Sequence, residues 1–124
     1  MQDANNLRVM GKAREMAIEA YRVTSRLPPA ERYGLSSQMR RAAISVGSNV
    51  AEGCGRFSNR ELVQFLQIAL GSTSELEFQA QIAVELQLLR AEDAVGLIEQ
   101  IGVVKGMLTR LIASHRRRDK IVRK

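Results

Sequence analysis

Six cations crowd the last ten residues: Arg116, Arg117, Arg118, Lys120, Arg123 and Lys124, with Asp119 the one acid among them. That stretch carries a net +5 in a chain whose total is +6, so the remaining body is nearly neutral. Charge concentrated in this way suits an anionic partner, and phosphate contact with RNA or DNA is the sharpest reading. A plainer one stays open, because cations near a helix C-terminus favour its macrodipole and a charged tail is well solvated. The dipole effect fades within the last turn, which three consecutive arginines followed by three more cations exceed. No aromatic residue interleaves with these cations and no base-reading motif is present. Backbone binding without strong sequence specificity is therefore expected. Arg40 and Arg41 are further candidates for nucleic-acid contact, although an arginine at such a place more often pairs with a carboxylate across a bundle.

Other chemistries find fewer residues. One cysteine and one histidine, Cys54 and His115, make a nucleophilic pair conceivable. Cys54 lies in Gly53-Cys54-Gly55 with no base or orienting group nearby in sequence, and His115 reads as an exposed helix-end residue, so catalysis is not expected. Glu75, Glu77 and Glu85 raise a carboxylate metal site, but bundle sites of that kind need Glu-x-x-His pairs from two helices. No metal or cofactor is expected. Gly-Cys-Gly is too short for a phosphate-binding loop.

The elements that would carry these residues are helical. In 124 residues, 45% are hydrophobic and only 4% aromatic, with no Trp, so the core must come from Leu, Ile, Val, Ala and Met. That composition suits helices better than sheets. A first helix is predicted from Asn5 or Asn6, with Met10, Ala13, Ala17, Ala20, Tyr21 and Thr24 on its inner side and an exit at Leu27 before Pro28-Pro29. Pro29 is placed to open a single turn through Arg32. The second helix is predicted from Ser36 or Ser37 to Gly53, buried through Leu35, Met39, Ala42, Ala43, Val46 and Val50, and closed by Gly53 and Gly55 in the left-handed conformation. Beside its apolar face runs a polar stripe of Arg41, Ser45, Ser48 and Glu52, with Asn49 at the border. Glu52 and Arg56 are four apart, a spacing for an ion pair of about 0.3–0.5 kcal/mol.

Ser58-Asn59-Arg60-Glu61 has the form of a capping box and starts the third helix, predicted to run to about Arg90. Leu62, Phe65, Ala69 and Leu76 form one seam, whereas Val63, Leu66, Ile68 and Leu70 point elsewhere and are expected at a subunit interface. The fourth helix follows a turn at 91–93, with Ala94, Leu97, Ile98, Ile101, Val104, Leu108, Leu111 and Ile112 inside. Gly102 and Gly106, one turn apart in that helix, suggest close backbone packing. The expected architecture is all-α, an antiparallel up-down-up-down four-helix bundle over residues 1–115, followed by a basic tail at 116–124.

Four short blocks, at 38–43, 49–53 with Arg56, 65–72 and 75–79, resemble in order and spacing the 23S ribosomal RNA intervening-sequence protein family. The resemblance spans nearly the whole chain. It implies a helical bundle that assembles into a ring-like homo-oligomer, a homopentamer, and relatives that are accessory proteins of diversity-generating retroelements, contacting nucleic acid and a reverse transcriptase. In the family's Asn-x-Ala-Glu-Gly segment, Asn49 and Glu52 would hold the end of the second helix or an interface, structurally rather than chemically. The functional expectation is a non-enzymatic oligomeric scaffold that binds RNA or DNA through phosphates. The alternative is a protein–protein adaptor whose basic tail only solubilises or docks. No apolar run reaches the roughly 18 residues needed to span a bilayer, no signal sequence opens the chain, and a lone cysteine suits a reducing compartment, so a cytoplasmic protein without membrane partners is expected.

Overall fold

The computed structural model describes residues 4–123, with side chains through Lys120. Four α-helices are formed: α1 (Ala4–Thr24), α2 (Leu35–Cys54), α3 (Asn59–Glu85) and α4 (Ala91–Arg123). Among the described residues there is no strand. Neighbouring helices pack in the order α1, α2, α3, α4 and back to α1, with no close approach across either diagonal. The fold is an all-α, four-helix bundle.

Each helix contributes an apolar stripe to one shared core. Val9, Ala13, Met16, Ala20 and Val23 of α1 face Met39, Ala43, Val46 and Val50 of α2, Leu62, Leu66, Ala69 and Leu76 of α3, and Leu97, Ile101, Val104 and Leu108 of α4. The expected face of α1 is rotated from the observed one. Ala13, Ala20 and Thr24 are buried as predicted, but Tyr21 is exposed and Val9, Met16 and Val23 take the centre. The cause is that α1 touches α4 as well as α2, which turns its stripe toward the middle of the bundle.

Connections follow local chemistry. After α1, Thr24 Oγ1 donates to the Ala20 carbonyl at 2.8 Å, and Pro29–Glu31 form the expected single turn, of 3-10 type. At the start of α3 the Ser58 hydroxyl accepts from the Glu61 amide at 3.1 Å, while the Glu61 carboxylate meets that hydroxyl at 3.2 Å. One half of the capping box is thus made. The third helix stops five residues earlier than predicted because Gln87 takes φ 60°, the left-handed region. There the Leu88 amide donates to the Ala83 carbonyl and the Gln87 amide to the Val84 carbonyl, both at 2.9 Å. This is a Schellman closure, normally signalled by glycine or asparagine.

The glycines act differently from expectation. No glycine among the described residues has positive φ, so Gly53 and Gly55 are not left-handed stops. Gly53 instead lies where α2 and α3 approach: a Cβ there would sit 2.9 Å from Phe65 Cβ and 3.0 Å from Leu62 Cδ1. Nothing lies within 4 Å of a Cβ at Gly102, and one at Gly106 would meet only the Arg110 side chain, so neither marks close packing within the chain. Gly53→Ala is expected to destabilise the fold by about 1–3 kcal/mol despite alanine's better helix propensity. Urea denaturation checks this; unchanged or greater stability would contradict the close approach.

Candidate nucleic-acid interface

The basic C-terminal segment is not a tail in structural terms. α4 is continuous for 33 residues and carries Arg116, Arg117, Arg118 and Lys120 on helix, which removes the expected boundary at residue 115. The reason is His115. Expected to be exposed, it has no accessible surface, because it continues the seam of Leu108, Leu111 and Ile112 by another helical turn. Asn59 Nδ2 donates to the His115 carbonyl at 3.3 Å, which turns Asn59 Oδ1 to accept from Nδ1 at 3.0 Å. On the other side Nε2 lies 3.4 Å from Oδ1 of the buried Asn6. The first turns of α1 and α3 therefore grip α4 at His115, with a side-chain amide against each nitrogen of a buried ring that would be costly without partners.

Around this grip, two grooves flank α4. One, of about 590 Å³, runs along α3 and is lined by Arg60, Arg116, Arg117 and Lys120 together with Asn59, Val63, Gln64, Ala113 and Asp119. The other, of about 330 Å³, runs along α1 and is lined by Arg8, Arg110 and Arg117 together with Asn5, Met107, Leu111 and Ser114. Arg117 belongs to both. Six cations from three helices thus meet at one end, and Arg8, Arg60, Arg110, Arg116, Arg117 and Lys120 make no ion pair among the described residues. Two of the expected contacts lie outside this site's description: Lys124 is not among the described residues, and for Arg123 only its backbone, at the end of α4, is described.

Helix electrostatics do not account for the cluster. Arg116 and Arg117 sit more than a turn before the end of α4, beyond the reach of its dipole. Arg60 lies two residues after the Ser58 cap, at the positive end of α3, where a cation is unfavourable and Glu61 is the one acid of the first turn. Arg8, Arg60 and Arg110 escaped sequence reasoning because each is an isolated cation until the helices assemble. His115 was legible: its spacing from Leu108, Leu111 and Ile112 is helical, but its polarity and the adjacent arginines masked it.

The remaining candidates are placed elsewhere. Arg40 is structural: its Nε donates to Thr24 Oγ1 at 2.8 Å and its guanidinium lies 4.6 Å from the centre of the Tyr21 ring, tying α2 to the end of α1. Its partners are a hydroxyl, the Tyr21 carbonyl and the Tyr21 ring, not the carboxylate anticipated. Arg41 is exposed in a separate groove of about 330 Å³ with Gln38, Ala42, Ser45 and Glu75, some 20 Å along α2 from Cys54 at 1.5 Å per residue. Asn49 Nδ2 donates to the Ser45 carbonyl and hydroxyl at 2.8 and 3.0 Å, and the Ser45 and Ser72 hydroxyls bond at 2.9 Å across to α3. Arg56 pairs with Glu52 at 2.8 Å and stacks over Phe65 at 4.8 Å. Of the four residues expected at a subunit interface, Val63 and Leu66 are core residues and Leu70 packs partly against the core. α3 contacts both α2 and α4, so its buried face is wider than a single seam. Ile68, 52% exposed, is the one of the four that stands outward. Among the described residues no three of His, Cys, Asp and Glu could share a metal ion. No helix there is long and apolar enough to cross a membrane.

The family model of the 23S rRNA-intervening sequence proteins matches residues 5–110. The chain belongs to that family. A similar solved structure is the crystal structure of a protein of unknown function from the S23 ribosomal protein family of Bacteroides thetaiotaomicron. It has a TM-score of 0.81 and 20% identity, with 88% of this chain and 98% of that one covered. This likeness is one of fold. No curated protein matches the chain. The intervening-sequence family match stops at residue 110, so His115 and the cations at 116–120 lie beyond it, whereas the Ser45–Ser72 and Asn49 contacts between α2 and α3 lie within it.

His115→Ala is expected to cost about 2–4 kcal/mol, from the cavity and the polar groups left unpaired. Guanidinium denaturation measures it. A loss under about 0.5 kcal/mol, typical of exposed sites, would contradict the buried grip.

Proposed function

We propose that this chain is a non-enzymatic, oligomeric scaffold that binds RNA or DNA through phosphate contacts, without strong sequence specificity. The observation that carries the reading is the convergence of six cations from α1, α3 and α4 on two grooves at one end. Arginine forks suit phosphate oxygens, and unpaired cations at the start of a helix are best stabilised by an anion. A non-catalytic role agrees with the use made of the one thiol and the one imidazole, since Cys54 and His115 are both buried in the fold. The contacts of Arg26 with Asp93, Arg40 with Thr24 and Asn59 with His115 support an antiparallel, up-down-up-down course. A cytoplasmic setting would supply such a nucleic acid.

Fluorescence anisotropy with a labelled RNA and a labelled DNA at several salt concentrations tests the binding. A chain ending at Ser114 is a poor probe, because it would lose His115 from the core. The combined variant Arg116→Gln, Arg117→Gln and Lys120→Gln removes charge and leaves the grip intact. Each lost phosphate contact should lower the slope of log K against log salt by about 0.7–0.9, so the triple variant should lose roughly 2–3. An unchanged slope would overturn the assignment. Absence of binding by the natural chain at low salt would favour the adaptor reading.

Assembly into a ring-like homo-oligomer belongs to the same proposal, the number five being what the family resemblance implies. It is supported by large apolar residues that the single chain leaves exposed, including Ile68 and Phe78 on α3 and Leu7 and Ile18 on α1. A ring would present several cationic ends together and gain avidity. Sedimentation equilibrium is expected to give a multiple of the 13.8 kDa chain mass. A monodisperse monomer at micromolar concentration would contradict assembly.

A further inference from the structure

The sequence places no aromatic residue among the C-terminal cations, but one stands in the link that leads into α3, three residues before Arg60. Phe57 stands in the short link between α2 and α3 and is fully exposed, at 101% of its reference area. The link that holds it is fastened on both sides. Before it, the Arg56 amide donates to the Gly53 carbonyl at 3.1 Å, and the Arg56 guanidinium is held by Glu52 and by the face of Phe65. After it, Ser58 caps α3. The ring is therefore held out in water, although burying it would be favourable.

What surrounds the ring decides its use. Asn59 and Arg60, two and three residues further on, line the groove that also contains Arg116, Arg117 and Lys120. At 3.8 Å per Cα step, Phe57 is within about 8 Å of Asn59 along the backbone. We propose that Phe57 is a stacking platform for an unpaired base, so that the cationic end binds single-stranded nucleic acid in preference to duplex. This deepens the phosphate-binding reading and rests on it. The groove takes the phosphates and the ring takes the face of the adjoining base, which is open in a single strand and covered in a duplex. Phenylalanine offers no hydrogen bond, so the preference is for unpaired structure and not for sequence. A protein pocket is the less suitable occupant, because the core of a protein interface is depleted of charge and Arg56 and Arg60 flank this residue in the chain. Tyr33, 88% exposed in the link between α1 and α2, is different: Arg32 lies over its ring at 5.6 Å, and no residue within three of it in the chain lines either cationic groove.

The absence of Trp from the chain makes the test direct, because Phe57→Trp introduces a single indole. The probes are a single-stranded oligothymidylate, a mixed-sequence DNA duplex and inorganic polyphosphate. Indole fluorescence is expected to be quenched by the single strand and to be little changed by polyphosphate. Phe57→Ala is expected to weaken single-strand binding about 10-fold. Duplex and polyphosphate binding should stay within about two-fold, with unchanged salt slopes. An Ala variant that binds all three probes as the natural chain does, or an indole insensitive to the single strand, would overturn the stacking role while leaving phosphate binding in place. A natural chain that binds none of the three would remove both.

Discussion

The grip on His115 is the contact on which the functional end of this protein depends. α4 outruns the other helices, and an unsupported last segment of a helix frays. Burying His115 between Asn6 and Asn59 ties that segment to the first turns of α1 and α3. The cations that follow are therefore presented on an ordered helix close to the body, where Arg8 and Arg60 can join them. The same contact sets the rotation of α4: with His115 inward, Arg117 falls between the two grooves and Arg116 and Lys120 fall on the α3 side.

A second constraint acts through the link between α2 and α3. Gly53 allows those helices to approach until a Cβ would clash with Phe65, and only residues 55–58 join them. The short link in turn sets where Ser58 caps α3, hence where Asn59 meets His115 and where Arg60 enters the groove. Packing in the core and charge at the surface are thus coupled through a few residues. Arg60 stands at the positive end of α3 beside the single acid Glu61, and an incoming phosphate would add a second anion there.

Much of the fold was legible because period and composition agree. The 3.6-residue spacing along α2 and α4, the prolines after α1 and the Ser58 cap each pointed to the element observed. The end of α3 was hidden, since Gln87 adopts a backbone conformation that its side chain does not advertise. The expected interface residues Val63 and Leu66 were assigned outward because one seam was assumed where α3 packs on two neighbours. The site was only partly legible. The run of cations was plain, whereas Arg8, Arg60, Arg110 and Phe57 acquire meaning only when chain segments up to about a hundred residues apart are brought together. For Arg40 a contact across the bundle was the commoner expectation, but its partners Thr24 and Tyr21 were not legible, because a carboxylate is the more conspicuous partner for a guanidinium.

Membership of the 23S rRNA-intervening sequence protein family covers the bundle and stops short of the cationic residues of the α4 end. The family accounts for the scaffold; the chemistry proposed for this chain resides in how the last turns of α4 are anchored and charged. Backbone amide chemical shifts followed by NMR during titration with a short single-stranded oligonucleotide test that location most directly. Shifts are expected to concentrate at the start of α1, the link before α3 and its first turns, and residues 110–120 of α4. Shifts centred instead on the groove around Arg41 and Glu75, or spread evenly over the bundle, would contradict it.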